Sequence, residues 1–114
     1  MTDDEFYKSV MRFSATTTDE FIQESIERGD ELSLLVVRKT LEAIKRREEK
    51  TLYGFVPSIG LTLMSDYREY NQVLWANIGR LEDMEEYELC EKVWEIIKDT
   101  EDPFAYLDDL RDKE

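Results

Sequence analysis

From Leu81 to Asp102 the chain reads LEDMEEYELCEKVWEIIKDTED, with ten carboxylates among 22 residues and only Lys92 and Lys98 to oppose them. Glu88, Glu91, Glu95, Asp99 and Asp102 recur at steps of three and four, which places them along one face of an α-helix. Tyr87, Cys90, Val93, Trp94 and Ile97 recur on the other side and supply the apolar stripe that a core needs. At about 1.5 Å of rise per residue, successive acids on the ridge stand roughly 5–6 Å apart. A helix divided in this way must bury one side and leave the other to water or to a basic partner.

The remainder of the chain has the means to build that core. At 114 residues it is expected to form a single acidic helical domain over 1–114 with one modest hydrophobic interior. Charged residues make up 38% of it, well above the usual level of about 25%. Two Trp, six Tyr and five Phe argue against disorder, because disordered acidic chains are poor in aromatics. Four Gly and two Pro are too few for an all-β design rich in tight turns. The fold class expected is all-α, a compact bundle of five or six helices with a short apolar hairpin or loop near residues 51–64.

The helices are placed by caps and spacing. Asp3, Asp4 and Glu5 favour the positive end of a first helix whose apolar face is Phe6, Val10 and Phe13. Thr17 and Glu20 fit a capping box, so a second helix is predicted from about Thr18 to Arg28, with Phe21, Ile22 and Ile26 inward. Gly29 suits a left-handed end to it. Asp30 caps a third helix to about Lys50, lined by Leu32, Leu35, Val36, Ala43 and Ile44, with Lys39 or Thr40 bridging the middle turn. Residues 51–64, TLYGFVPSIGLTLM, carry no charge. They read either as two strands joined by the turn Pro57-Ser58-Ile59-Gly60 or as an ordered loop. A fourth helix begins at Ser65 or Asp66, with Tyr67, Tyr70, Leu74, Ile78 and Leu81 in register and a break near 79–83. The ridge helix follows to about Lys98, and Asp102-Pro103 opens a last helix anchored by Phe104, Leu107 and Leu110.

Charge narrows the function. The formal net charge is −13; residues 1–81 contribute −3 and residues 82–114 contribute −10. Such a field repels nucleic acid and anionic membranes and attracts basic surfaces. The basic cluster Arg38, Lys39, Lys45, Arg46, Arg47 and Lys50 is interleaved with Glu42, Glu48 and Glu49, and the acidic helix is its nearest counter-charge. No apolar run approaches the roughly 20 residues of a membrane span, and the acidic start is unlike a signal peptide. A cytoplasmic location is therefore expected, and the lone Cys90, on an apolar stripe, agrees with it.

Catalytic constellations are sparse. The chain has no histidine, which removes the commonest general base and metal ligand. Glu24 with Glu27, and Glu82, Glu85, Glu88 and Glu91, form E-x-x-E spacings of the sort that hold Mg²⁺ in all-helical nucleotide pyrophosphatases. In a chain of 28 acids such pairs arise by chance. No phosphate-cradling glycine motif is present. No catalytic, cofactor-binding or metal-binding residue is assigned, and the chain is not expected to be an enzyme.

In charge and size the surface resembles that of small acidic helical inhibitors, the nucleic-acid-mimicking phage proteins and the immunity proteins that neutralise nuclease toxins. The resemblance implies a non-catalytic protein that blocks a basic protein surface, such as that of a nucleic-acid-acting enzyme. The candidate partner-binding residues are Glu85, Glu88, Glu91, Glu95, Asp99, Asp102, Asp108 and Asp109, with Asp112 extending the field and Tyr87 or Tyr106 adding a rigid contact. The alternatives are a carboxylate-Mg nucleotide pyrophosphatase-like enzyme, and an assembly or chaperone-like adaptor using residues 51–64. No direct contact with nucleic acid or membrane is expected, and a homodimer is allowed.

Overall fold

A computed structural model describes residues 2–99 of the chain. Its elements are α1 (Asp3–Lys8), β1 (Met11–Arg12), α2 (Thr18–Glu27), α3 (Gly29–Arg46), β2 (Lys50–Val56), β3 (Leu61–Asp66), α4 (Tyr70–Asp83) and α5 (Tyr87–Asp99). This corrects the all-α expectation: four helices of ten residues or more are joined by a three-stranded mixed sheet, so the fold is not a bundle of five or six helices. The predicted helix after Asp102-Pro103 lies outside the described residues.

The sheet order is β1-β2-β3. The uncharged segment folds as an antiparallel hairpin with Thr51 opposite Ser65 and Val56 opposite Leu61. A 3₁₀ turn over Pro57–Ile59 connects the strands, and Gly60 closes it in the left-handed region at φ 62°. The third strand is what sequence spacing misses. Met11 and Arg12 pair in parallel with Gly54 and Phe55, and the Phe13 N–H continues the ladder to the Phe55 carbonyl at 3.1 Å. Met11, Phe13 and Ala15 are buried while Arg12 and Ser14 are exposed, a period of two where a helical period was expected for Val10 and Phe13. A parallel pair requires a crossover, and α2 and α3 provide it.

Gly54 makes the close approach possible. A Cβ at that position would stand 2.6 Å from the Met11 carbonyl oxygen and 3.3 Å from the Phe13 ring. Gly54→Ala is therefore expected to lower stability by about 1–3 kcal/mol, read as a shifted urea midpoint, and to release β1 from the sheet.

Two apolar clusters hold the layers together. The larger joins Val37, Ala43 and Ile44 of α3 to Tyr67, in the turn before α4, to Tyr70, Leu74, Ile78 and Leu81 along α4 and to Cys90 and Val93 of α5. The smaller joins Met11, Phe13, Ala15 and Val56, and Phe21, Leu32, Leu35 and Leu63 pack against it. The register Tyr67, Tyr70, Leu74, Ile78 and Leu81 expected for the fourth helix is buried at every position. Asp66 caps the 3₁₀ turn Tyr67–Glu69 that leads into α4, in a reciprocal box with Glu69. The helix runs through Gly79, and the break comes later, at Glu85 with φ 60°.

Three further expectations need correction. Ile22 and Ile26 of α2 do not point inward; they are 52% and 65% exposed. The Glu24 carboxylate accepts the Ser14 and Ala15 N–H groups at 3.0 Å, and the Arg28 guanidinium stacks 5.0 Å from the Phe13 ring while donating to the Arg12 carbonyl at 2.8 Å. This polar clasp, together with Phe21 edge-on to Phe13, decides which side of α2 faces the core. Gly29 does not end α2 in the left-handed region; it opens α3 beneath the Arg80 guanidinium. Finally, α3 stops at Arg46, four residues short of Lys50, where Arg47 turns left-handed and Glu48 donates back to the Ala43 carbonyl at 2.9 Å.

Candidate functional site

The α4–α5 break sets the direction of the ridge helix. Glu85 is exposed within it, and its N–H donates to the Glu82 carbonyl at 3.0 Å. Cys90 and Val93 of α5 are buried, and Leu89, Ile96 and Ile97 pack partly buried around them. At 100° per residue these five sum to one side of the helix, which turns Glu88, Glu91 and Glu95 outward, and all three are exposed. Asp99 is the last residue of α5. Asp102, Asp108, Asp109 and Asp112, with Tyr106, lie outside the described residues.

The apolar stripe is rotated from the expected one. Tyr87 and Trp94, predicted to face the core, are 63% and 43% exposed, and Leu89 and Ile96 take their places. Trp94 lies along the edge of α5 nearest α4 and meets Trp75 edge-to-face, with ring centroids 5.4 Å apart. Trp75 is itself exposed, because it falls off the Tyr70, Leu74, Ile78 stripe of α4. The ridge thus has an aromatic shoulder of Trp75, Trp94 and Tyr87 along one side. The spacing of Trp75 within α4 was the only signal in the sequence that pointed to it.

The other side of the ridge meets α3. Arg38, Leu41, Glu42 and Lys45 of α3 face Leu89, Lys92, Glu95 and Ile96 of α5 across an open groove of about 440 Å³. Glu95 therefore stands among cations of the basic cluster, whereas Glu88 and Glu91 do not line that groove. Within the cluster, Arg46 pairs with Glu42 at 2.9 Å and stacks 4.6 Å from the Tyr7 ring. Lys39 leaves the surface altogether. It is 2% exposed, its ammonium donates to the Ser9 and Leu52 carbonyls, and burial lowers its pKa to about 8.

The carboxylate pairs of the enzyme alternative are separated in the fold. Glu24 is committed to the Ser14–Ala15 backbone, and the E-x-x-E acids are divided among the end of α4 (Glu82), the turn after it (Glu85) and α5 (Glu88 and Glu91). Among the described residues, no three Asp, Glu or Cys side chains lie close enough to hold a metal ion. No helix among them is long and apolar enough to cross a membrane.

Cys90 reports independently which side of α5 faces the core. Burial pushes its thiol pKa up, and the nearby charges of Glu82 and Glu86 add to the effect. Thiolate formation is disfavoured on both counts. Native protein is expected to react with a thiol reagent about a hundredfold more slowly than urea-unfolded chain, since local opening costing a few kcal/mol suppresses reaction tenfold per roughly 1.4 kcal/mol. Equal rates would place Cys90 on the outside of the helix.

No protein-family model matches the chain, and no curated protein or solved structure is similar to it at a significant level.

Proposed function

We propose that this chain is a non-catalytic, cytoplasmic binding protein whose acidic α5 face blocks a basic protein surface, the substrate-binding face of a nucleic-acid-acting enzyme. The observation that carries the reading is the outward alignment of Glu88, Glu91 and Glu95 on a helix whose opposite side is sealed by Cys90 and Val93. The core already occupies the apolar side, so the ridge is free to meet a partner without rearrangement of the fold. Aligned carboxylates replace the phosphate contacts of such an enzyme, steer encounter over distance and make affinity fall with salt. The exposed Trp75, Trp94 and Tyr87 supply flat faces on which arginine guanidinium groups stack while the acids neutralise them.

The test is capture from lysate on immobilised protein at low and at high salt, followed by an activity assay of the captured enzyme. The expected result is a basic, nucleic-acid-acting enzyme that binds only at low to moderate salt and whose reaction stops when this protein is added. A partner that is acidic, or an enzyme whose activity is unchanged on binding, rules the reading out.

A further inference from the structure

The groove between α3 and α5 gathers cations on an otherwise acidic protein. Arg38 and Lys45 of α3 and Lys92 of α5 stand exposed around it, and Leu41, Leu89 and Ile96 form a half-buried apolar floor. Glu42 lines it too, but is held by Arg46 at 2.9 Å. Lys45 and Lys92 enter no ion pair among the described residues. Cations around an apolar floor select an occupant with an apolar stripe flanked by acids. The chain carries such a segment and delivers it to the groove. Asp99, the last residue of α5, lies three positions beyond Ile96. Residues 100–114, TEDPFAYLDDLRDKE, hold six acids against Arg111 and Lys113, with Phe104, Leu107 and Leu110 at intervals of three. Asp108 and Asp112, four apart, fall on one flank of that stripe at helical spacing.

We propose that residues 103–110 seat in the α3–α5 groove of their own chain, as an amphipathic helix running antiparallel to α5. Length and the point of departure favour this occupant. Residues 100–102 make a connection within the span of about 2–8 residues usual between neighbouring helices. Asp102-Pro103 then restarts a helix. Pro103 and Leu110 are seven positions apart, as are Leu89 and Ile96, so at helical rise the segment matches the groove in length. The antiparallel return that sets Phe104 beside Ile96 brings Asp108 level with Lys92 and Leu110 close to Leu89. Charge agrees with the register: six acids less two bases give residues 100–114 a net of −4. The covalent link supplies a millimolar effective concentration, so a modest contact suffices. A second copy offering the same segment would first have to overcome repulsion between two molecules of net charge −13. The seated segment covers the groove cations with carboxylates, and Asp108 then belongs to the groove and not to the ridge. The contact is made in the free protein, so it stands or falls apart from partner binding by α5.

The experiment is paramagnetic broadening in the nuclear magnetic resonance spectrum of the full chain, with a nitroxide on Glu114→Cys. Cys90 is buried, so the label goes to the new thiol. Amides 38–45 of α3 are expected to broaden, although they are far from the label in sequence. Lys45→Glu with Lys92→Glu alters two exposed side chains and is expected to abolish that broadening. The same pair should let chymotrypsin cut after Phe104 or Tyr106 at least about tenfold faster, since cleavage follows release of the segment. Adding Asp108→Lys and Asp112→Lys to it restores opposite charges across the groove and is expected to restore both the broadening and the protection. Leu107→Asp tests the apolar stripe alone and is expected to release the segment with every groove cation in place. Helical circular dichroism and a cooperative melt control for folding in each variant. Absence of broadening in α3 overturns the proposal, and so does broadening strongest on the β2–β3 hairpin. Broadening or cleavage indifferent to Lys45→Glu with Lys92→Glu overturns it as well. An isotope-labelled chain without nitroxide, mixed with unlabelled nitroxide-bearing chain, is expected to show no broadening; broadening there would make a second copy the occupant and overturn the intramolecular contact.

Discussion

Lys39→Ala is expected to destabilise the protein by about 2–5 kcal/mol, the range for large-to-small changes in a core. Lys39 lies in the middle of α3, nearly inaccessible to solvent, and its ammonium links the Ser9 carbonyl ahead of β1 to the Leu52 carbonyl of β2. Truncation empties the space filled by its four-carbon stem and leaves two buried carbonyls without a donor, each worth about 1–3 kcal/mol. Relief of the buried charge offsets part of that loss. Lys39→Met separates the contributions, because it keeps the stem and removes only the ammonium. Urea melts are expected to rank Lys39→Met above Lys39→Ala, the difference being the packing of the stem, since both variants leave the Ser9 and Leu52 carbonyls without a donor.

The same lysine gives stability a pH dependence of definite sign. Its folded pKa, about 8, is below its ordinary value of 10.5, so between those limits the unfolded chain binds more protons than the folded one. Stability contributed by Lys39 therefore rises as pH increases through that window and is lost as pH falls through about 8. The full difference of roughly 2.5 pH units corresponds to about 3 kcal/mol. Other groups act in the opposite direction. Burial raises Cys90, Tyr7, Tyr53 and Tyr70, which hold their protons longer in the folded state and lower stability above their ordinary values of 9 and 10. Those groups are present in Lys39→Met as well, so the difference between the two proteins isolates the lysine. Wild type is expected to gain on Lys39→Met by about 2–3 kcal/mol between pH 7 and pH 10. A difference that does not change with pH would show that the two carbonyls hold Lys39 fully protonated in the fold.

Sequence alone read well where the interactions are local. The stripe from Tyr67 through α4 to Leu81 depends on spacing within one segment, and it holds, while the turn from Pro57 to Gly60 is one of the two readings left open for residues 51–64 and is the one the structure takes. It failed where distant residues decide. The two residues of β1 are too few to show a period, and their place is set by Gly54, some forty positions away. The face of α2 is chosen by Glu24 reaching back to Ser14 and Ala15, which no count of apolar spacings within the helix anticipates. On α5 the acids were legible and the apolar register was not. Tyr87 and Trp94 lie at one margin of the stripe through Cys90 and Val93, and packing of α5 against both α3 and α4 selects the stripe rotated towards Leu89 and Ile96. Lys39 shows the limit most clearly, since a cation within a basic run gives no sign that two backbone carbonyls will take it inside.

Glu88→Gln, Glu91→Gln and Glu95→Gln combined are expected to reduce affinity for the basic partner by more than about a hundredfold while leaving the fold intact. The three side chains are exposed and amide replacements keep their size, so neither core cluster is touched. The magnitude separates a desolvated interface from a solvated face. Ion pairs left in water contribute about 0.2–1 kcal/mol each, and three of them would change affinity by no more than about two orders of magnitude. Pairs buried between partners couple by about 1.5–7 kcal/mol, and three at the lower end already amount to more than a thousandfold. Glu95 serves as an internal comparison, because it alone of the three lines the groove with Arg38, Lys45 and Lys92. Glu88→Gln with Glu91→Gln is therefore expected to account for most of the loss, and Glu95→Gln alone for little. The measurement is a titration by calorimetry at several salt concentrations, with the slope of log affinity against log salt falling in step with the charges removed. A triple variant that melts cooperatively, keeps its helical signal and binds with unchanged affinity and slope would assign α5 to solvent alone.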